Sequence, residues 1–292
     1  MAITASMVKE LRERTGAGMM DCKKALSETD GDMEAAIDLM RASGAAKAAK
    51  KSGRVAAEGL VSVSISDDNQ TATILEVNSE TDFVAKGDEF INYVNTLSAL
   101  ALKTEPADID AFMTQTLDNG DSLEKSREDI VAKIGENISI RRVQTVKTDN
   151  GVLGAYKHGD KIAVVVSLEG GDETLAKDVA MHIAASKPEC ISEADVSEET
   201  LEREKAIFIE QARESGKPDN IIEKMITGRM KKFVGEITLH GQPFVKDPDV
   251  TVGKLLANNS ASVAAFVRFE VGEGIEKKEE NFADEVMAQI NG

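Results

Sequence analysis

Twice along this chain the same order of segments recurs: a run, a tight turn, a second run, a polar connection and a helical stretch. In the first copy EGLVSVSI (58–65) alternates Val61, Val63 and Ile65 with Ser62 and Ser64, and DDNQ (67–70) turns. TATILEVN (71–78) returns with Leu75 and Val77 on one face; after the connection NSETDF, Phe90, Val94 and Leu97 mark a helix ending near 102. In the second copy GVLGAY (151–156), a turn at His158-Gly159-Asp160, KIAVVVSL (161–168) and GGDET (170–174) lead into a helix over 174–186. Alternation with period two is the mark of a strand in a half-buried sheet, and spacings of three and four mark a helix face. The expected class is therefore α+β, with two related core subdomains at 58–140 and 141–275. The two connections differ in one respect: the first carries an aromatic, Phe83, and the second carries none. The shared plan does not require that ring.

Other segments attach to this core. Residues 1–44 read as a module of three short helices: Thr4 caps the first, glycines 16 and 18 break it, and TDGD (29–32) separates the second from the third. Residues 45–57, rich in small residues with Lys47, Lys50, Lys51 and Arg54, read as a basic linker, helical in part. About 190–234 form an inserted antiparallel helical hairpin, with Leu201, Phe208 and Ala212 facing Ile222, Ile226 and Met230. Residues 262–271 are a strand with Val263, Ala265, Val267 and Phe269 on one face, and 276–292 form an amphipathic C-terminal helix.

Charge narrows the function. With 52 acidic and 35 basic residues the chain carries a formal charge of −17, which repels phosphate backbones and argues against direct nucleic-acid binding. Cys22 and Cys190 are isolated, so neither a disulfide framework nor structural zinc is expected, and a reducing, cytoplasmic setting fits. The N-terminus shows no signal peptide, and no apolar run is long enough to span a bilayer. No phosphate-binding glycine motif or nucleophile elbow occurs. The three histidines lie apart: His158 reads as a surface turn residue and His182 as a packed core histidine. No catalytic centre, metal site or cofactor is expected, and binding is the favoured activity.

The motifs LRERTGAGMMDCKKAL (11–26), TDFVAK (81–86), KIGENISIRR (133–142), MHIAASKPE (181–189), EKM–GRMKKF (223–233) and RFEVGEGIEK (268–277) occur in order. Together they resemble the bacterial translation elongation factor Ts family over nearly the whole chain. The resemblance implies a guanine-nucleotide exchange factor for elongation factor Tu, binding its GDP-bound and nucleotide-free forms. It also implies a ubiquitin-associated-like fold for the three-helix module and a hairpin serving homodimerisation. The family's TDFV motif, here Thr81, Asp82, Phe83 and Val84, would reach the partner's magnesium site, the aspartate and the ring disturbing it.

For each residue a plain reading stands beside that one. Phe83 either folds back onto its own core or enters the partner. Met19 and Met20 are either core residues of the small module or an adaptable apolar contact, with Arg12 and Lys23 flanking it or simply solvated. Lys51 is a tether residue or a partner contact. Ile134 and Gly135 are a helix stop, glycine being usual past a C-terminus, or part of the surface beside the wedge. His158 would touch another domain of the partner. Burying one Phe supplies roughly 1.5–3 kcal/mol, while weakening GDP about a thousandfold needs roughly 4 kcal/mol of coupling. A broad interface must therefore supply the remainder.

Overall fold

The computed structural model describes residues 3–15, 18–214 and 218–276. The break read at Gly16, part of the hairpin turn and the terminal helix read beyond 276 lie outside the described residues. The chain divides into two compact units, one of Met1–Ser62, Leu75–Gln144 and the chain from Glu270 onward, the other of Val63–Ile74 and Thr145–Phe269.

In the first unit α1 (Ala5–Thr15), α2 (Met19–Glu28) and α3 (Met33–Lys51) pack around Val8, Leu11, Cys22, Ala25, Leu26 and Ala36. The Thr4 hydroxyl accepts from the Met7 N–H, and the Asp32 carboxylate accepts from the Ala35 N–H. Each satisfies a donor that the start of a helix leaves without an intrahelical partner. Residues 45–51, read as part of a linker, are the last turns of α3. Their Ala and Lys are strong helix formers, and Ala48 is fully buried in the main core of the unit. The stretch is thus helical in part, as read, and through Ala48 it packs α3 against the core beside α7.

Next come β1 (Glu58–Ile65), β2 (Thr71–Ser79), a single helical turn α4 (Asp82–Ala85), α5 (Asp88–Thr104), α6 (Ile109–Met113), α7 (Leu123–Ile134) and β3 (Ser139–Lys147). Among the described residues β1, β2 and β3 form one sheet in that order. Phe90, Val94 and Leu97 of α5 meet Leu75 and Val77 in the core, as their spacing predicts, joined by Leu123 and Val131 of α7 and by Ile138. Phe112 on α6, a helix not read from the sequence, joins them. A charge also lies inside: Glu76 has no exposed surface. It pairs with Arg141 and Arg142 and accepts from the Asn78 amide (3.0 Å) and the Gly272 N–H (2.8 Å). Burial pushes its carboxyl up; these donors and the Arg142 charge outweigh burial and hold it below the usual glutamate value.

The second unit holds β4 (Val152–His158), β5 (Ile162–Glu169), α8 (Glu173–Ser186), α9 (Glu198–Glu214), α10 (Asp219–Ile237), β6 (Pro243–Phe244), β7 (Asp247–Thr251), α11 (Val252–Asn258) and β8 (Ser262–Glu270). β4 and β5 run antiparallel, Val152 opposite Leu168 and His158 opposite Ile162. β5 is followed in the same sheet by β8. Val179, Ala180 and Ile183 of α8 pack with Val164, Val166 and Leu168 of β5. On β8, Val263, Val267 and Phe269 are buried, whereas Ala265 is exposed. His182 is fully buried, as its apolar helix predicts. Its Nδ1 accepts from the Val245 N–H at 3.2 Å and its Nε2 lies 3.0 Å from Gln242 Oε1. A ring accepting at Nδ1 and facing a carbonyl at Nε2 is the neutral Nε2–H tautomer.

α9 and α10 pack as the expected helical hairpin. Phe208 meets Phe233 edge-on at 6.4 Å, and the Arg229 guanidinium lies over the Phe208 ring. Ala212 is buried, but Leu201, Phe208, Ile222, Ile226 and Met230 are only half-buried, because each helix covers one side of the other. Among the described residues no helix is long and apolar enough to cross a membrane.

Candidate functional site

Phe83 is 83% exposed. The ring does not fold back onto the core, so the plainer of its two readings is set aside. Its backbone, by contrast, is held closely. A four-residue helix is too short to persist by itself, since nucleation costs more than one turn returns; α4 stands because its neighbours fix it. The Thr81 hydroxyl caps it by accepting from the Val84 N–H at 3.4 Å. Lys86 reaches back to Asp82 at 2.7 Å. Asp82 holds the exposed Lys86 ammonium above its ordinary value. Ala85 is buried, and the Gly87 N–H donates to the Val84 carbonyl as the chain enters α5.

The strongest hold comes from the turn between α7 and β3. Glu136 accepts from Thr81 through both carboxylate oxygens, 3.0 Å from the backbone N–H and 2.7 Å from the hydroxyl. In the opposite direction Glu80 accepts from the Asn137 N–H at 2.6 Å. Asn137 in turn donates to the Arg54 carbonyl just past α3, and Arg54 pairs with Glu80 at 3.4 Å. The turn itself depends on Gly135, which ends α7 in the left-handed region with φ +91°. Lys51 Nζ donates to the Gly135 carbonyl.

Several expected site residues are thus brought together in the first unit. Thr81, Asp82, Phe83 and Val84 are clamped to the turn that follows Ile134 and Gly135, and Lys51 closes on that turn from α3. Ile134 is half-buried against the core, and Lys51 is half-buried and engaged within the chain. Met19 and Met20 are 60% and 75% exposed. They are not core residues of the small module, whose α2 side is Cys22, Ala25 and Leu26. Arg12 and Lys23 are exposed on α1 and α2. His158 is exposed at the end of β4, in the other unit. Sequence reasoning missed Glu80, Glu136 and Asn137. No local pattern marks them, since the Thr81–Glu136 and Asn137–Glu80 bonds span 55 and 57 residues.

Among the described residues no group of three or more His, Cys, Asp and Glu side chains is placed to hold a metal ion. Phe83 is a solvent-facing aromatic on a clamped turn. The family model for elongation factor TS matches residues 80–273. An elongation factor Ts of Ruthia magnifica is 74% identical over 292 residues, all of this chain and 99% of the relative. Those of Vesicomyosocius okutanii and Alkalilimnicola ehrlichii are 67% and 60% identical, each covering 99% or more of both chains. The chain belongs to the elongation factor Ts family.

Proposed function

We propose that this protein is a guanine-nucleotide exchange factor for elongation factor Tu in translation elongation. Membership of the elongation factor Ts family supports that role. We further propose that Asp82 and Phe83 carry the exchange step by disturbing the partner's magnesium and phosphate site. One observation carries this reading: a Phe four-fifths exposed on a helical turn that its own chain holds rigid. A ring so placed enters a partner without first being ordered, which removes part of the entropy cost of binding. Asp82 pairs with the exposed Lys86, an interaction worth about 0–1 kcal/mol.

Met19 and Met20, with Arg12 and Lys23, form the contact of the ubiquitin-associated-like module, and exposed methionines suit an adaptable apolar surface. Ile134 and Gly135 flank the wedge, Lys51 supports it from within, and His158 contacts a different part of the partner. The helical hairpin, whose stripe is only half covered, serves self-association. The work is done by differential binding of the partner's states and uses no catalytic group of this chain. Coupling of this kind is reciprocal: GDP drives the factor off the partner as strongly as the factor drives GDP off.

The test is release of fluorescent GDP from purified elongation factor Tu. Wild type should accelerate release, and Phe83→Ala should be much weaker. An active wild type matched by the variant would remove the wedge and leave the broad interface. Failure of both to accelerate release would remove the exchange reading.

A further inference from the structure

The clamp on α4 assigns a task to a residue that makes no predicted contact with the partner. Thr81 is the last residue before the turn that carries Phe83, and its polar atoms are all engaged. Its N–H and hydroxyl both donate to Glu136, its hydroxyl also caps Val84, and its carbonyl accepts from the Ser79 hydroxyl at 3.0 Å. A two-point bond to one carboxylate fixes direction as well as position, and bonds to an ionised acceptor are the stronger kind. Glu136 lies immediately after Gly135, whose left-handed conformation ends α7 and turns the chain toward β3. Its backbone is held through Gly135 by Lys51 and through Asn137 by Glu80. The anchor of α4 is therefore rigid at both ends.

We infer that Glu136 is a positioning residue for nucleotide exchange: by gripping Thr81 with both oxygens it sets the direction in which Phe83 is presented to the partner. The inference rests on the exchange reading above. Without the grip, α4 keeps only its Thr81 cap, the Lys86–Asp82 pair and the burial of Ala85, and the ring samples more directions. Binding by the broad interface survives such a change, while the step that requires a placed ring does not.

Glu136→Gln is the chosen variant. It keeps the shape and one acceptor oxygen but sets an NH2 group against a donor of Thr81. Glu136→Ala removes both acceptors. Two readouts separate the outcomes. The first needs no partner: amide exchange at Thr81, Val84 and Ala85 should quicken in both variants while the rest of the unit stays protected. The second is GDP release from elongation factor Tu at saturating factor. The maximal rate should fall about tenfold or more in Glu136→Ala, the loss of roughly one charged hydrogen bond, and less in Glu136→Gln, with the half-saturating concentration near that of wild type.

Unchanged local amide exchange overturns the grip. Quickened exchange at α4 with an undiminished maximal rate, while Phe83→Ala is impaired, overturns the positioning role and leaves the wedge standing. Amide protection lost throughout the unit, with the half-saturating concentration rising in step, indicates a merely structural glutamate and overturns it too. A wild type that does not accelerate release, or a Phe83→Ala that matches it, fails the underlying reading, and the inference falls with it.

Discussion

Between β5 and α8 the chain turns on Gly170 and Gly171, both left-handed at φ +74° and +73°, and Asp172 caps the helix at once. Between β2 and α5 it runs through Glu80 to Lys86 without a glycine, inserts a helical turn, and enters α5 at Gly87. The second connection takes its shape from residue type. The first takes its shape from distant groups, above all Glu136 and Asn137. A glycine turn is local and self-sufficient, but it can present nothing except itself. A turn made of ordinary residues and held from outside can carry a large side chain into solvent at a fixed angle. On the function proposed above, the difference separates the connection that serves the fold from the one that serves a partner.

The comparison can be broken from either side, and the largest effect is expected at the ring. Phe83→Ala should reduce stimulated GDP release by roughly ten- to a hundredfold, the share one buried Phe can supply. Because the ring is exposed, the unfolding free energy should stay within about 0.5 kcal/mol of wild type. On the other side, Gly170→Ala places a Cβ 2.3 Å from the Ser260 carbonyl oxygen at a left-handed backbone. It should cost about 2 kcal/mol or more, read by denaturant unfolding, and leave the exchange activity of the folded fraction intact.

The two caps give a matched pair. Asp172→Ala and Thr81→Ala each remove a side-chain acceptor at a helix start, and each should cost about 1 kcal/mol. Only Thr81→Ala should also slow GDP release, since it removes one of the two bonds that hold α4 to Glu136. Equal activity in the two variants would dissolve the distinction between the connections.

The units should also separate by pH. Burial holds the His182 ring below its usual value against the opposing pull of Gln242. The unfolded chain then binds the proton more readily, so stability is full above the ordinary histidine pKa of about 6.5 and falls as pH drops below it. Glu76 is also held below its usual value, but its contribution is present above the ordinary glutamate range and is lost only as pH falls through that range and below. Melting followed by amide exchange across pH 7 to 4 should show the α8 region loosening first, and His182→Gln should flatten that early loss. The smallest effect is expected at Lys86→Ala. It deletes an exposed pair worth under about 1 kcal/mol, and the maximal release rate should be no lower than in wild type.

Much of the scaffold was legible in the residues. Leu75 and Val77 and the stripe Phe90–Val94–Leu97 carry the strand and helix periods plainly because each faces a core, whereas on β1 Val61 is buried but Val63 and Ile65 are only half-buried, like Ser62 and Ser64. The site was legible only where it bulges: Phe83 stood out as an aromatic among polar neighbours. What holds it was not legible, because a hydrogen bond across 55 residues leaves no period. α4 was missed since a four-residue turn is shorter than any window in which a helical period can be seen. The run 45–51 read as a tether because alanines and lysines carry no apolar stripe, yet Ala48 is small enough to bury completely.

The buried Glu76 has a consequence in time. Its carboxylate sits on β2, two of its donors come from β3, and another is the N–H of Gly272, 196 residues later in the chain. A ribosome releases these parts in order. While the helical hairpin and the second sheet are being made, the first unit waits with a buried charge one donor short. Only when Glu270 to Gly274 emerge can Arg142 reach the Glu270 carbonyl and the Gly272 N–H complete the set. The unit that presents the ring is therefore begun first and finished last, and a chain cut short before residue 270 should keep Glu76 one donor short.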